Sequence, residues 1–370
     1  MTIKVLHIIG TAKIGGVELS VKQFLENVCQ KDSDIQHFLC ANFEDNSFIT
    51  NLKICTLNIR TNTENPFVIF FNAIKIARFV KSNKIDIIHS YNRNTTLTSL
   101  IVKKLLKNKM ITVSSISGMY NLSGIFRKFF NQWFLKTDYT IAPSKCAKDH
   151  FMRNYKIKNP DQIRVIYEGI DPDDLPNVPL HFEQKLNLSK DSFKIGMLAR
   201  FSKIKGQQVL VEALHYLPKN FNYECFLIGP QKPNSEKYLN ELIQKFNVNV
   251  KILHQEYSWA INLCDIIVCP STREESFGRV AVEAGFLKKI AIVSSSGGHL
   301  EVVKDKITGF YTKQSNAKDL AGKILFIKNL PENEKDIIKK NAFNFVRTEF
   351  SIEKHVQQKL QLYKEIINNN

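Results

Sequence analysis

The sequence predicts an α/β fold with two doubly wound domains that face a central cleft. Strand-like apolar runs alternate with amphipathic helical stretches, and this pattern occurs twice along the chain. A length of 370 residues also exceeds what one ordinary hydrophobic core supports. A proline-containing segment after residue 167 reads as a linker, which places the first domain at 1–170 and the second at 171–350.

The composition is that of a soluble globular protein, with 44% hydrophobic and 24% charged residues. No apolar run reaches the length of a membrane span, and the first ten residues read as a strand, so we expect a cytoplasmic protein. The net charge of +17 predicts an anionic partner: a nucleotide, a phospholipid surface or nucleic acid. Nucleic acid is disfavoured because the sequence contains no RNP-like motif, zinc finger or base-reading basic helix.

Seven cysteines are scattered along the chain without a CxxC pair or the spacing of metal ligands. An odd and irregular set favours buried, reduced thiols over a disulfide framework. We therefore expect no metal site and no redox function.

The first domain opens with a predicted buried strand at 4–9, a glycine-containing turn at 10–17 and a helix at 18–28. Such a strand, turn and helix present free N–H groups to an anion. Gly15 and Gly16 lack side chains and allow a ligand to approach the backbone closely. The turn is not a GxGxxG sequence, so the dinucleotide-binding fingerprint is not met.

Further alternating elements predict that the first domain is a parallel sheet. The strands are predicted at 35–41, 85–89, 111–115 and 137–142, and two of the helices at 69–81 and 96–106. Ligands of such sheets bind beyond the carboxyl ends of the strands. That rule draws attention to polar residues after these strands, including His89, Asn92, Ser117 and Tyr120.

An aromatic stripe with helical spacing occupies residues 125–136. Core packing explains such a stripe, and so does contact of a basic amphipathic helix with a membrane surface. The sequence leaves both interpretations open.

The second domain repeats the α/β pattern, with strands predicted at 194–200, 226–229, 250–253, 266–269 and 290–294. Arg200 ends the first of these strands, and Lys205 lies in the turn that follows. A planar guanidinium and a compact ammonium suit a diphosphate at the strand tips.

Two carboxylates, Glu275 and Glu283, are separated by seven residues in the segment 269–303. Glu275 precedes a helix predicted at 279–287, and Glu283 lies within it. Ionised carboxylates accept hydrogen bonds only, so pairs of sugar or ribose hydroxyls suit them. Taken alone, each glutamate is better explained without a ligand, Glu283 as a solvated helix residue and Glu275 as an acid with a favourable charge near a helix N-terminus.

The chain resembles the retaining glycosyltransferases of glycosyltransferase family 4, which have the GT-B fold of two Rossmann-like domains. The resemblance rests on short motifs along nearly the whole chain, namely Gly15-Gly16, Asp86-Ile87-Ile88-His89, Ala142-Pro143-Ser144, Glu168-Gly169-Ile170-Asp171, Arg200, Lys205-Gly206, Asp265, Pro270-Ser271, Glu275-Ser276-Phe277-Gly278, Glu283-Ala284, Gly297-Gly298, Glu301 and Thr308-Gly309-Phe310. It implies that the terminal segment 351–370 forms a helix that crosses back to the first domain.

The same resemblance implies the catalytic residues. Glu275 would contact the hydroxyls of the donor sugar, and Glu283 the ribose of the nucleotide. Arg200 and Lys205 would neutralise the diphosphate, without a metal ion or a further cofactor.

It also implies that backbone groups bind the donor. Gly15 and Gly16 would contribute from the first domain, and Ser276, Phe277 and Gly278 from the second. The first domain would lie on the acceptor side, where His89, Asn92, Ser117 and Tyr120 are the candidate contacts.

Two positions depart from the family pattern. Ser117 and Gly118 stand where many relatives carry a histidine that contacts the donor sugar. Glu168 replaces the usual asparagine before the linker. His299 follows the glycine pair at a position that varies among relatives.

The resemblance implies a retaining transfer of a hexose-type sugar from a UDP-, GDP- or ADP-linked donor. The acceptor would be a cell-surface glycan or a lipid-linked, lipopolysaccharide-type precursor at the inner face of an anionic membrane. A non-catalytic GT-B subunit that binds a nucleotide or a partner protein is the alternative. A nicotinamide-dependent oxidoreductase is a third hypothesis, which the missing GxGxxG sequence disfavours.

Overall fold

The computed structural model describes residues 2–12, 15–28, 34–43, 48–50, 52, 54–119, 130–157, 159–175, 177–179, 186–230 and 233–369. The chain divides into two compact units. Unit 1 comprises Met1–Ile170 and Ser351–Asn370, and unit 2 comprises Asp171–Phe350. Each unit is built around one parallel sheet, so the predicted pair of doubly wound α/β domains is confirmed.

The sheet of unit 1 has the strand order β3-β2-β1-β4-β5-β6-β7 among the described residues. Its strands are β1 (Ile3–Ile8), β2 (Ile35–Ala41), β3 (Cys55–Asn58), β4 (Ile87–Ser90), β5 (Ile111–Ser115), β6 (Tyr139–Ala142) and β7 (Ile163–Val165). The chain winds outward from β1 to β3 and then in the opposite direction from β4. The switch point of this sheet, where ligands of α/β proteins commonly bind, therefore lies between β1 and β4.

The sheet of unit 2 has the order β10-β9-β8-β11-β12-β13. Its strands are β8 (Phe193–Leu198), β9 (Tyr223–Gly229), β10 (Val250–His254), β11 (Ile266–Cys269), β12 (Ile290–Ser294) and β13 (Gly309–Thr312). The winding reverses between β8 and β11, so these neighbouring strands define the switch point of unit 2.

The helices cover both faces of each sheet, as parallel sheets require. In chain order they are α1 (Gly16–Val28), α2 (Pro66–Asn83), α3 (Arg93–Leu105), α4 (Lys145–Asn154), α5 (Gln207–His215), α6 (Pro233–Phe246), α7 (Arg279–Phe286), α8 (His299–Val302), α9 (Ala317–Asn329), α10 (Glu332–Glu349) and α11 (Ile352–Asn368). Short 3₁₀ helices occupy Gln132–Lys136, Pro160–Gln162, Pro172–Asp174 and Gln255–Leu263.

Capping side chains set the starts of α2 and α3. The Asn65 side chain accepts a 3.0 Å hydrogen bond from the Phe67 amide, and Pro66 occupies the first helical position. Asn92 and Thr95 form a reciprocal capping box at the start of α3. Both helices begin three residues before their predicted starts because apolar periodicity alone does not register these caps.

The core of unit 1 lies on both faces of its sheet. Val5 and Leu6 are consecutive in β1 and pack into different hydrophobic clusters, because successive strand side chains point to opposite faces. One cluster contains side chains of α1 and α11, and the other contains side chains of α2 and α3. The terminal helix α11 is therefore part of the core of unit 1, with Tyr363 fully buried.

Several elements were absent from the sequence prediction. The strands β3, β7 and β13 contain only three or four residues each, too few to show a clear period. Within the aromatic stripe at 125–136, the described part forms a 3₁₀ turn at Gln132–Lys136, and Phe134 is fully buried. Residues 125–129 lie outside the described residues. Among the described helices, none is long and apolar enough to cross a membrane.

Candidate active site

The switch point of unit 2 brings together the residues that the sequence singled out. Arg200 and Lys205 follow β8, Glu275 follows β11, and the pair Gly297 and Gly298 follows β12. These three strands are neighbours in the sheet, so their carboxyl ends lie side by side. The sequence prediction that the basic pair faces the Glu275 loop is met for Lys205 by direct contact.

Glu275 is held by two donors. The Lys205 ammonium lies 2.7 Å from Glu275 Oε1, and the Ser271 hydroxyl donates to the same oxygen at 2.6 Å. The Glu275 side chain is only 18% exposed, and that of Lys205 is 29% exposed. The carboxylate is thus fixed in orientation, and a charge-assisted bond of this length is among the stronger kinds in proteins.

The protonation state of Glu275 follows from opposing effects. Burial alone would raise the pKa of this carboxyl, but the charge and hydrogen bond of Lys205, the Ser271 hydroxyl and His299 together hold it below its usual value. Glu275 is therefore ionised at neutral pH, which makes it an acceptor for hydroxyl groups.

Glycines allow the backbone around Glu275 to close up. The amide of Gly298 donates a 2.7 Å hydrogen bond to the carbonyl of Glu275, and Glu275 forms a bridge with Gly297. Gly297 has a positive φ of 64°, and a Cβ atom there would lie 2.7 Å from the backbone nitrogen of Glu275. No side chain fits at this position without a shift of the loop.

The loop before α7 is shaped by Gly278, which has a φ of 115°. A Cβ atom at Gly278 would lie 2.8 Å from His299 Cδ2 and 3.0 Å from a methyl group of Val302. Phe277 is 2% exposed, and its ring packs edge-on against Phe350 with the centroids 5.4 Å apart. Phe277, one of the predicted donor-binding residues, thus anchors the loop in the core through its side chain.

Glu283 forms an ion pair within α7. The Arg279 Nε atom lies 2.9 Å from Glu283 Oε1, and both side chains are less than 15% exposed. Burial raises the pKa of Glu283, while the neighbouring Arg279 opposes that rise. Arg279 was not among the site residues predicted from the sequence, although its spacing of four residues from Glu283 on a predicted helix is a recognisable signal.

His299 lies beneath this loop. It is 2% exposed, and its Nδ1 atom is 3.1 Å from the Ser294 hydroxyl. Burial lowers the pKa of His299 to about 4, although the nearby Glu275 carboxylate acts in the opposite direction. The ring is therefore neutral at pH 7 and supports the loop from below.

Lys205 and Arg200 differ in how they are held. Lys205 precedes Gly206, which has a positive φ of 86°. The turn packs closely against Pro270 at this point, because a Cβ atom on Gly206 would lie 2.0 Å from the Pro270 carbonyl oxygen. Arg200 has its carbonyl fixed by the Gln207 side chain at 2.9 Å, and its guanidinium is exposed. The Lys205 ammonium is thus positioned by its contact with Glu275, whereas only the backbone of Arg200 is held by the turn that follows β8.

The predicted donor-binding glycines of unit 1 lie at the start of α1. A Cβ atom at Gly15 would meet only the Glu18 carboxylate, at 2.5 Å, and one at Gly16 would meet nothing within 4 Å. Protein packing therefore places no steric demand for glycine at residue 16. Close approach of a ligand to the Gly16 backbone therefore stays a prediction.

His89 does not have the surface position expected of an acceptor contact. The residue is fully buried in β4, with Nδ1 2.6 Å from the Tyr363 hydroxyl and Nε2 2.7 Å from the Ser115 hydroxyl. Burial lowers the pKa of His89, and the nearby Lys359 and His355 lower it further, so the ring stays neutral. The expectation fails because β4 turns this side chain into the core beneath α11.

The other acceptor-side candidates are more varied. Asn92 accepts a hydrogen bond from the Thr95 amide at 3.0 Å and thus serves as a helix cap. Ser117 lines a small cavity of about 40 Å³ in unit 1, together with Glu168 and the side chain of Lys359. Tyr120 lies outside the described residues.

A buried polar cluster in unit 1 was not anticipated from the sequence. His7 Nδ1 lies 2.9 Å from the Tyr91 hydroxyl, and His7 Nε2 lies 2.9 Å from His37 Nδ1. Lys359 is 1% exposed and sits 4.6 Å from the centroid of the Phe24 ring. Lys359 occupies an apolar position in the pattern of an amphipathic helix, and this position indicates burial.

Cys269 lies next to this site, at the end of β11. Burial raises the pKa of Cys269 to about 12, and the Glu275 charge raises it as well, so its thiol remains protonated. In the parts of the chain that the structure describes, no three His, Cys, Asp or Glu side chains are grouped to hold a metal ion.

Two doubly wound units, with an ionised glutamate and two cations at the switch point of the second, define a protein of the GT-B type. Residues 14–174 match the family model described as Glycosyltransferase Family 4, and residues 181–344 match the model described as Glycosyl transferases group 1. The chain belongs to the glycosyltransferases of the GT-B type, with one of these domains in each unit. This assignment removes the oxidoreductase hypothesis.

Solved structures and curated proteins agree with the assignment. A glycosyltransferase from Rickettsia africae superposes with a TM-score of 0.85 at 27% identity, over 100% of both chains. The Anabaena protein HepE, solved with UDP and glucose, gives 0.84 at 20% identity, over 98% of this chain and 100% of that one. The N,N'-diacetylbacillosaminyl-diphospho-undecaprenol alpha-1,3-N-acetylgalactosaminyltransferase of Campylobacter jejuni is 24% identical over 86% of this chain and 87% of its own.

Proposed function

We propose that the protein is a retaining glycosyltransferase that moves a hexose-type sugar from a nucleotide-diphosphate sugar to an acceptor hydroxyl. The observation that carries the proposal is the ionised Glu275, ion-paired to Lys205 at the switch point of unit 2. A fixed carboxylate paired with a cation matches a ligand that presents sugar hydroxyls next to phosphate oxygens. The structural neighbour HepE, which was solved with UDP and glucose, supports this donor class.

In this proposal the cations act on the leaving group. As the bond between the anomeric carbon and the phosphate oxygen breaks, its electron pair moves to the diphosphate. Lys205 and Arg200 stabilise that charge without a metal ion or a further cofactor, and fixed donors aimed at developing charge commonly contribute on the order of a hundredfold or more in rate. Glu275 and the backbone of residues 276–278 hold the sugar.

The acceptor hydroxyl attacks the anomeric carbon from the face that the diphosphate leaves. A new carbon–oxygen bond forms, and the hydroxyl proton passes to the departing phosphate oxygen. No side chain then has to act as a covalent nucleophile. Glu283 accepts hydrogen bonds from the ribose hydroxyls in this arrangement, which requires that its oxygens be shared between Arg279 and the nucleotide.

The acceptor we propose is a glycan or a lipid-linked precursor at an anionic membrane surface. The net charge of +17 supports an anionic surface, and the name of the Campylobacter relative specifies an undecaprenol-linked acceptor for that protein. A role in polysaccharide or lipopolysaccharide synthesis would follow.

A donor screen tests the proposal. UDP-, GDP- and ADP-sugars are compared by nucleotide release and by thermal shift, and the anomeric configuration of any product is determined by NMR. Release from one donor class with retained configuration is the expected result. A thermal shift without release from any donor, with lipid-linked and soluble glycan acceptors both supplied, would instead favour a non-catalytic nucleotide-binding subunit.

A further inference from the structure

Helix α2 of unit 1 has a buried inner face and a patch of exposed aromatic rings on its outer face. Its inner face is buried in the core and consists of Ile69, Asn72, Ala73, Ile76, Ala77 and Val80. Its outer face exposes Phe67, Phe70 and Phe71 at 75%, 47% and 61%. Surface helices of globular domains normally carry polar residues outward, so this face needs an explanation beyond folding.

The exposed phenylalanines form one patch. Their spacing of three and four residues places them on the same side of the helix, and the ring centroids of Phe70 and Phe71 are 6.2 Å apart. The helix has its own cap at Asn65 and its own buried stripe, so the fold of α2 does not depend on the three rings.

The same face continues as a cationic surface. Lys75, Arg78 and Lys81 are exposed, and the helix contains no Asp or Glu. At 3.6 residues per turn, the three rings and three cations fall within a sector of about 140° opposite the buried stripe. Exposed aromatic rings favour the headgroup region of a bilayer, and neighbouring exposed cations are attracted to its anionic lipids.

We propose that the outer face of α2 binds an anionic phospholipid bilayer, with Phe67, Phe70 and Phe71 in the headgroup region and the cations on lipid phosphates. This inference deepens the membrane contact proposed above and assigns it to α2. The described part of the aromatic stripe at 125–136 differs from α2, because Phe134 there is fully buried.

Vesicle flotation of the full chain tests this assignment, without donor or acceptor present. Phosphatidylcholine vesicles with and without phosphatidylglycerol are compared, for the wild type, the Phe67→Ser/Phe70→Ser/Phe71→Ser variant and the Lys75→Gln/Arg78→Gln/Lys81→Gln variant. Two control variants are Phe326→Ser, which removes a ring that is 52% exposed on α9, and Phe130→Ser, which alters the aromatic stripe.

We expect salt-sensitive flotation of the wild type with phosphatidylglycerol vesicles. Each cation removed should weaken partitioning about fivefold, since one basic side chain near such a surface contributes roughly that factor. Loss of the three rings should weaken binding at every salt concentration, and both controls should bind as the wild type does. Circular dichroism confirms that the variants are folded.

Three outcomes would overturn the proposal: no flotation of the wild type, wild-type flotation of both α2 variants, or loss of binding in Phe130→Ser alone. A dimer that forms without vesicles and disappears in the phenylalanine variant would show that a second copy covers this face. Nucleotide release from a donor, with lipid-linked and soluble glycan acceptors supplied, is measured in parallel. Normal release with failed flotation rejects only the membrane assignment, whereas flotation without release by the wild type rejects only glycosyl transfer.

Discussion

The Lys205 ammonium lies 2.7 Å from Glu275 Oε1, and this contact joins the turn after β8 to the loop after β11. It links the two strands on either side of the switch point in unit 2. The pair explains how a largely buried glutamate stays ionised, and it brings a cation next to the carboxylate proposed to hold the donor sugar.

Removal of Lys205 should change the pH dependence of activity. In Lys205→Met, burial of Glu275 is no longer opposed by the ammonium, so the pKa of Glu275 rises. The acid limb of the pH–rate profile should move to higher pH, and kcat/KM at pH 7 should fall about a hundredfold. Lys203→Met, which alters an exposed lysine in the same turn, is the matched control. An acid limb at the same pH in wild type and Lys205→Met would contradict this role.

Gly278→Ala should destabilise unit 2. The residue has a φ of 115°, and the added methyl group would lie 2.8 Å from the His299 ring. We expect a loss of about 2 kcal/mol in the free energy of unfolding, measured by urea denaturation, and a matching loss of activity. Gly322→Ala is the control, because a Cβ there meets nothing within 4 Å and the residue is exposed on α9. Equal stability of the two variants would refute the steric argument.

Arg279 and Glu283 should show strong coupling. Arg279→Leu leaves the Glu283 carboxylate buried without its ion-pair partner and should cost about 3 kcal/mol of stability. The double variant Arg279→Leu/Glu283→Leu should be more stable than Arg279→Leu, because no charge is left uncompensated. Denaturation midpoints of the two single variants and the double variant measure this. Simple addition of the single effects would mean that the buried charges do not interact.

Lys359 should make stability depend on alkaline pH. Burial lowers the pKa of Lys359 from its ordinary 10.5 to about 7 in the folded protein, partly offset by Glu168. The unfolded chain binds the proton more tightly, so the free energy of unfolding should rise between about pH 7 and 10.5.

The variant Lys359→Met removes that proton linkage. It should be more stable than wild type at pH 7, on the order of 2 kcal/mol, and the difference should shrink towards pH 10. Lys364→Met, on the same helix with a side chain that is 43% exposed, should show no such convergence. Parallel unfolding curves of wild type and Lys359→Met at both pH values would contradict the lowered pKa.

Much of the fold followed from the sequence because buried parallel strands are continuous apolar runs. The strands β2, β5, β11 and β12 have the predicted bounds. The three- and four-residue strands β3, β7 and β13 were missed, since each is too short to show a clear period. The predicted starts of α2 and α3 were too late, because the capping residue marks the first turn of each helix and the apolar period does not.

The site was predicted to a different extent in each unit. In unit 2 the switch point brings the residues after β8, β11 and β12 together, so Lys205 and Glu275 are in contact as expected. In unit 1, His89 was assigned from its place at a strand end, but side-chain direction decides whether such a residue faces solvent or the core. That direction depends on the register of β4 against its neighbours and on α11, which is distant in sequence.

The most direct test of the account compares nucleotide release by wild type and by Glu275→Gln with the donor that the screen identifies. The amide keeps the shape of the side chain and removes its charge. We predict rapid release by the wild type and a loss of about a hundredfold or more in kcat/KM for Glu275→Gln, with the fold intact by circular dichroism. Release by Glu275→Gln at the wild-type rate would contradict the claim that the ionised Glu275 beside Lys205 holds the donor sugar.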